Sequence, residues 1–570
     1  MSEWWATIGQ PFAEALLSLD TVKIKAAFAN APSSYAEYIS SIYERSPEHV
    51  IIETFLIVFV IYITFVKRDK PKGTAAKLSE REIDDLCDEW TPEPIIPPNA
   101  VVDVNKSKPI GIVEATPDTH IKLQGFAKPL LNLATFDFLG LGSRPELKEV
   151  AVKTLTKYGC GSCGPRGFYG TIDTHEILEK DIAQMMGTTD SITFSDTEAT
   201  SSSVLPAFAK RGDLIVMDEG CNDSILVGAN LARCTVLYYK HNDLEDLERV
   251  LKSVRDEDKR KNRGSDCQRR YVVTEALFRN HGDMIELPKV VELCNKYFFR
   301  LFLDESFSFG VLGKSGRGVT EHFGMDVSEV AIICSSLAGS TASVGGFSTG
   351  SQEVVDYQRI NSAGYVFSAS APPFTSACCS EAIRIMRNEP ELFTKLRDNA
   401  KLAHNVLSAG VQGGFGISKA DVSPILHVRL LPEVAARVGS EENQRALQRK
   451  VCDTVMQKCL AKGVAICSPR YKTHQTLEPL PSLRISVTAI HSPKALEDAC
   501  KTVAAEAMAT AKEVFATFPV VDAAPASGLR QPLGCGASSS PASPPRTSPS
   551  LASGGRSRTA RRWCTGADRR

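Results

Sequence analysis

Six short apolar runs, separated mostly by helix-like stretches, leave this chain few ways to fold. They are SITF (191–194), DLIVMD (213–218), CTVLYY (234–239), YVVTEAL (271–277), RLFLDE (300–305) and VAIICSS (330–336). Amphipathic segments such as Leu244 to Val254 and Leu287 to Tyr297 lie between most of them. Strands apolar on both faces must be covered on both faces, so the alternation predicts an α/β domain with a mainly parallel sheet, here residues 100–390. A site is expected at the carboxyl ends of those strands. After residue 390 the pattern changes to longer helices (Glu391 to Ala409, Glu441 to Lys462) and short strands (SPILHVRL, LRISVT), which predicts a smaller α+β domain over 391–515.

A chain of 570 residues that is 43% apolar can bury more than one large core. Its 66 lysines and arginines nearly cancel its 67 acids, so no nucleic-acid partner is expected. The 16 cysteines lack the spacing of a disulfide framework, and several (Cys334, Cys378, Cys379) sit in apolar runs, which fits a reducing compartment. The pair Cys160 and Cys163 in CGSC has no second pair or histidine cluster beside it, so no metal site is predicted.

The ends read differently from the body. Behind an N-terminal segment (1–49), the run Val50 to Val66 is apolar apart from Glu53 and a few hydroxyls, and KRDKPK follows. It predicts one transmembrane helix over 50–67, uncleaved. The run falls short of the ~20 residues of a full span, so an interfacial segment stays open as the alternative. Lys67, Arg68, Lys70 and Lys72 place the following domain in the cytosol by the positive-inside rule. Residues 68–99, ending in TPEPIIPPN, read as a proline-rich linker. Residues 516–570, rich in Ser, Pro, Gly, Ala and Arg from 523 onward, read as a disordered tail.

Four stretches carry a family resemblance. GSCGPRGFYGTIDTHEILE (161–179), FLDESFSFGVLGKSGRGVTEH (302–322), GYVFSASAPP (364–373) and LPSLRISVTAIHS (480–492) together resemble the α-oxoamine synthases. These are fold-type I pyridoxal-phosphate enzymes that condense an amino acid with an acyl-CoA. SCGPRGFYGT, VLGKSGRGVTEH and SVGGF are similar to the serine palmitoyltransferase branch, and to its long-chain-base subunit without the cofactor lysine. The resemblance implies an aminotransferase-like large domain over 100–390 and a heterodimer with a lysine-bearing subunit that holds pyridoxal phosphate covalently. It also implies condensation of L-serine with palmitoyl-CoA to 3-oxosphinganine, the first step of sphingolipid synthesis. Small activating subunits, Orm-type regulators and an endoplasmic reticulum membrane location are implied in the same way.

Residue by residue, the chemistry is incomplete. The internal imine requires a lysine amine. Counting back from Gly345 and Gly346 by the spacing of lysine-bearing relatives lands at about Ser335, and no lysine lies between Lys314 and Lys395. Asp304 matches the family's ring-facing aspartate, and is equally explained as a strand-end or capping acid. Phe307 and Asn222 stand where catalytic relatives carry histidines. SDTEAT (195–200) replaces the glycine-rich phosphate turn, with Thr197 for glycine and Asp196 and Glu198 beside it. Those acids also suit the first turn of a helix on their own account. Cys163, Arg166, Gly167 and Tyr169 are the candidates for a composite site shared with the partner, the alternative being a turn needed only for the fold. Arg484 matches an arginine linked with substrate carboxylate, or serves structural pairing. Two other functions stay open: a self-sufficient synthase using another lysine such as Lys314, and a regulatory scaffold.

Overall fold

The computed structural model describes residues 55–60, 79–91, 95, 111–264, 268–435, 440–471 and 478–517. The chain divides into two units, Met1–Lys108 and Pro109–Arg570.

In the first unit, residues 55–60 are helical and exposed, and the rest of the predicted 50–67 helix lies outside the described residues. Among the described residues no helix is long and apolar enough to cross a membrane. The N-terminal segment 1–49 and the tail beyond 517 also lie outside them. Within the stretch read as linker, Glu80–Glu89 forms a helix (α1) that buries no side chain. A capping box explains it: Ser79 accepts from the Glu82 N–H while the Glu82 carboxylate accepts from the Ser79 N–H.

The second unit runs through β1 (Val113–Ala115), β2 (His120–Leu123), β3 (Leu130–Asn132), α2 (Pro145–Tyr158), α3 (Asp173–Met186), β4 (Asp190–Phe194) and α4 (Thr197–Phe208). It continues with β5 (Leu214–Asp218), α5 (Asp223–Ala232), β6 (Thr235–Tyr239), α6 (Leu244–Arg260), β7 (Arg270–Glu275), α7 (Leu287–Tyr297), β8 (Arg300–Asp304), β9 (Ile332–Ser336) and β10 (Gly346–Gly350). Then come α8 (Pro373–Asn388), α9 (Glu391–Gly410), β11 (Phe415–Ile417), β12 (Ile425–Leu430), α10 (Glu441–Ala461), β13 (Val464–Ala465), β14 (Leu483–Ser486) and α11 (Pro493–Thr517).

The central sheet has the order β4-β10-β9-β8-β7-β5-β6. It is parallel from β9 to β6, and β10 runs antiparallel to both β9 and β4. Alternation along β8 shows why its run is apolar throughout: Leu301 and Leu303 enter the core on one face, and Phe302 enters the core under α4 and α5. A separate core joins Ile121, Leu130 and Leu133 near the start of the body to Leu407, Val428, Val451, Ile485 and Val503 near its end. Residues 113–133 therefore pack with the C-terminal elements, through the β1-β2-β3-β13 sheet, although they fall within the 100–390 stretch read as the large domain.

One partly buried ion cluster ties β5 and the loop after β6 to the loop after β7. His241 Nδ1 lies 2.8 Å from Asp218 and its Nε2 3.1 Å from Asp283. Burial opposes a charge on this ring, yet the hydrogen bonds to Asp218 and Asp283 and their charges outweigh it and raise the His241 pKa to about 10. The stabilisation is then fully present below the unfolded value of about 6.5 and is lost as pH rises through about 10. The melting temperature of the wild type should fall across that window, and His241→Asn should flatten the fall, as read by circular dichroism at stepped pH.

Candidate functional site

Three adjacent parallel strands end in acids: Asp218 on β5, Glu275 on β7 and Asp304 on β8. All three are buried, and each is satisfied from within the chain. Asp218 accepts from the Gly220 and Asn242 N–H groups at 2.6 and 2.8 Å. Glu275 accepts from the N–H of Asn222 at 2.5 Å and of Arg279 at 2.9 Å. Asp304 accepts from Ser201 Oγ at 2.9 Å, from the Ser306 N–H at 2.8 Å and from the Asn222 side chain. Burial, then the neighbouring Asp304 charge, pushes Glu275 up to about 8, and burial raises Asp304 as well.

The helix N-terminus above these acids is also occupied by the chain itself. Asp196 caps α4 by accepting from the Ala199 N–H at 2.9 Å. Glu198 pairs with Arg279 at 2.9 Å. Thr197 donates to the Gly345 carbonyl at 2.7 Å and lies 3.2 Å from Ser336 Oγ. Asn222 caps α5, its side-chain oxygen accepting from the Ser224 and Ile225 N–H groups. Phe307 joins an aromatic cluster, 5.0 Å from Phe136 and 6.3 Å from Phe138 between ring centroids.

Ser335 is fully buried on β9, and its hydroxyl donates to the Glu305 carbonyl at 3.0 Å. The neighbouring Ser336 reaches α4 through Thr197, so strand alternation puts Ser336, not Ser335, on the sheet face that carries Asp304. Lys314 is exposed, whereas Asp304 is buried. These residues do not fit pyridoxal phosphate. No amine stands among them, the helix N-terminus is already capped by a carboxylate, and Asn222 has no aromatic face and is committed to its cap.

The glycine-rich segment presents itself outward. Tyr169 is fully exposed and Phe168 is 67% exposed, and both Cys163 (φ +56) and Tyr169 (φ +63) hold left-handed backbone. Gly170 is required here, because a Cβ on it would sit 1.9 Å from the Gly164 carbonyl oxygen. A Cβ on Gly167 would meet only open space. Beneath the turn Arg166 is buried and forms a two-pronged pair with Glu179 at 2.7 and 3.0 Å. Ser162 donates to the Ser370 carbonyl at 2.9 Å, and the Ser370 N–H donates to the Gly164 carbonyl at 3.0 Å. His175 closes the loop's end, bonding the Ile172 N–H and the Ala371 carbonyl. Burial holds that ring's pKa below its ordinary value.

Arg484, on β14, lies over the Phe136 ring at 4.1 Å and donates to the Ala134 carbonyl at 3.0 Å. Its buried Nε finds no acceptor among the described residues, and burial lowers its pKa. The structure thus gathers Asp304 and Asn222 in one cluster and sets the Cys163–Tyr169 turn on the surface. Sequence reasoning passed over Glu275, Ser201 and Glu179. Glu275 alone had a visible signal, an acid inside the apolar run YVVTEAL.

Fold and site together define a transferase scaffold of the pyridoxal-phosphate type, with no lysine among the strand-end residues described above. The class I and II aminotransferase family profile matches residues 128–503. Serine palmitoyltransferase 1 of Dictyostelium discoideum is 36% identical over 77% of this chain and 90% of its own length. Long chain base biosynthesis protein 1b of Oryza sativa subsp. japonica is 40% identical over 71% of this chain and 81% of its own. A high-resolution structure of SPT with its PLP internal aldimine aligns with a TM-score of 0.60 at 25% identity, covering 70% of this chain and 92% of that one. The chain belongs to the class I and II aminotransferase family, and within it to the serine palmitoyltransferase 1 and long chain base biosynthesis protein 1 group.

The absence of a lysine from the strand-end residues predicts the outcome of trapping. After incubation of the chain, purified free of any lysine-bearing paralogue, with pyridoxal phosphate and then borohydride, peptide mass spectrometry should find no pyridoxyl-lysine. An adduct on Lys314 would instead support self-sufficiency.

Proposed function

We propose that this chain is the lysine-less subunit of a serine palmitoyltransferase, completing an active site whose lysine belongs to a paralogous partner chain. The enzyme condenses L-serine with palmitoyl-CoA to 3-oxosphinganine in long-chain-base synthesis. Pyridoxal phosphate, held on the partner's lysine, supplies the electron sink for that condensation. This chain contributes the Cys163–Thr171 turn, and Arg166 holds it from beneath. The observation that carries the reading is a contrast within one molecule. The acids at the strand ends take their donors from the chain itself, while the glycine-rich turn beside α3 points Phe168 and Tyr169 into solvent.

A ring wholly exposed at a left-handed residue is costly to keep unless another surface receives it. The active site of the partner is the surface that the family resemblance supplies. The predicted 50–67 helix would tether the heterodimer to the endoplasmic reticulum membrane with the body in the cytosol. Small activating subunits and Orm-type regulators would join it there. Arg484, mostly buried with one unpaired N–H, is proposed to bind an anionic group such as a substrate carboxylate.

Co-expression tests the assignment. Condensation of serine with palmitoyl-CoA should require both this chain and a lysine-bearing paralogue. In the assembled heterodimer Tyr169→Ala should lower kcat about tenfold, a barrier increase of about 1.4 kcal/mol. Full activity of Cys163 and Arg166 variants in an intact heterodimer would favour the scaffold reading, and turnover by this chain alone would favour the self-sufficient one.

A further inference from the structure

The turn that carries Cys163 and Tyr169 is closed by the Phe168 and Gly170 N–H groups, which donate to the Pro165 carbonyl, and is tied at its flank to Ser370. Two of its residues sit in left-handed backbone, its tip is exposed, and Gly167 packs against nothing. A buried anchor for the Arg166 side chain lies below, on α3. Glu179 is 6% exposed and takes both prongs of Arg166, at 2.7 and 3.0 Å. The same carboxylate accepts the N–H and hydroxyl of Thr193 on β4, at 2.9 and 3.0 Å. Arg166 in turn donates to Thr193 Oγ1 at 3.1 Å and to Thr171 Oγ1 at 3.1 Å, and Thr171 donates back to the Arg166 carbonyl at 2.7 Å. Every strong contact of the guanidinium therefore leads to Glu179 or to a residue that Glu179 or Arg166 already holds.

We infer that Glu179 is a positioning residue, which sets the turn Cys163–Thr171 in the register that the composite site needs. This rests on the composite-site reading. A two-pronged guanidinium–carboxylate pair fixes a plane as well as a distance. Thr171 accepts from Arg166 Nε and donates to the Arg166 carbonyl, which ties the guanidinium to the backbone at 166, and the left-handed residues lie three positions to either side of it. Thr193 adds a second constraint, because β4 leads within three residues into Asp196 at the start of α4. One buried carboxylate thus holds the outward turn and the strand leading to the α4 N-terminus in one frame. A displacement on the order of 1 Å at a reacting centre costs up to ~100-fold in rate.

The test uses the co-purified heterodimer. Glu179→Gln keeps the size of the side chain and removes its charge. It should lower kcat about tenfold while the KM for palmitoyl-CoA changes by less than about twofold. Glu179→Asp should recover part of the loss. The double variant Arg166→Gln with Glu179→Gln should be no slower than the slower single variant, since both remove one interaction. Wild-type kcat in an assembled Glu179→Gln heterodimer, or fully additive losses in the double variant, would overturn the inference.

If Glu179→Gln does not assemble, Thr193→Val removes one neutral hydroxyl, which donates to Glu179 and accepts from Arg166, and leaves the ion pair. It should shift kcat in the same direction by a smaller factor, and a wild-type kcat there also overturns the inference. Tyr169→Ala separates the two levels. If it too is silent, the composite site is wrong. If it is slow while Glu179→Gln is not, only the positioning role fails.

Discussion

Burying three carboxylates at the ends of neighbouring strands is the constraint around which the large domain is arranged. An ionised carboxylate taken out of water costs several kcal/mol unless donors or a counter-charge replace its hydration. Asp218 meets this with an imidazolium and two backbone N–H groups, whereas Glu275, pushed up to about 8, avoids most of the cost by staying largely protonated at neutral pH while accepting two N–H groups from separate loops. Asp304 meets it with a serine, an N–H and the Asn222 amide. Because those donors come from α4, from the loop before α5 and from the turn after β7, satisfying the acids also docks these elements on the sheet.

The same bonds decide the chemistry. A site built to hold a charged ring needs an acid left free to meet it and a helix N-terminus left free for phosphate. Here both are used up internally. Asn222 has its carbonyl oxygen in the α5 cap and its amide on Asp304, so one residue that a relative would devote to the ring works as mortar. Asp196 and Glu198 supply the α4 terminus with the negative charge that a phosphate would bring.

Much of this organisation was legible in the residues. The six apolar runs became β4 through β9 except for a residue or two at their ends, because strands buried on both faces leave no polar interruption to obscure them. β10 escaped because GFSTG is small, hydroxylated and antiparallel, with none of the β-branched density of its neighbours. α1 escaped because its evidence is a cap rather than a buried face. In the site, substitutions in known motifs were readable one at a time. The pairing of Arg166 with Glu179 was not, since thirteen residues and a turn separate them and an acid on an amphipathic helix ordinarily faces water.

That pairing changes how the conserved-looking and the altered parts of the chain relate. If the glycine-rich turn were needed only to connect α2 with α3, an apolar contact beneath it would serve as well, and a buried ion pair of this kind is often replaceable without loss of stability. What an apolar contact does not give is direction. Arg166 and Glu179 fix the orientation of a turn whose exposed face makes no contact that would otherwise define it. Rigidity is therefore concentrated in the segment proposed to meet another subunit, and hydrogen-bond capacity has been used up in the cleft that would have worked alone. Both follow from the same residue chemistry: charge with a partner fixes geometry, and charge satisfied internally is unavailable to a ligand.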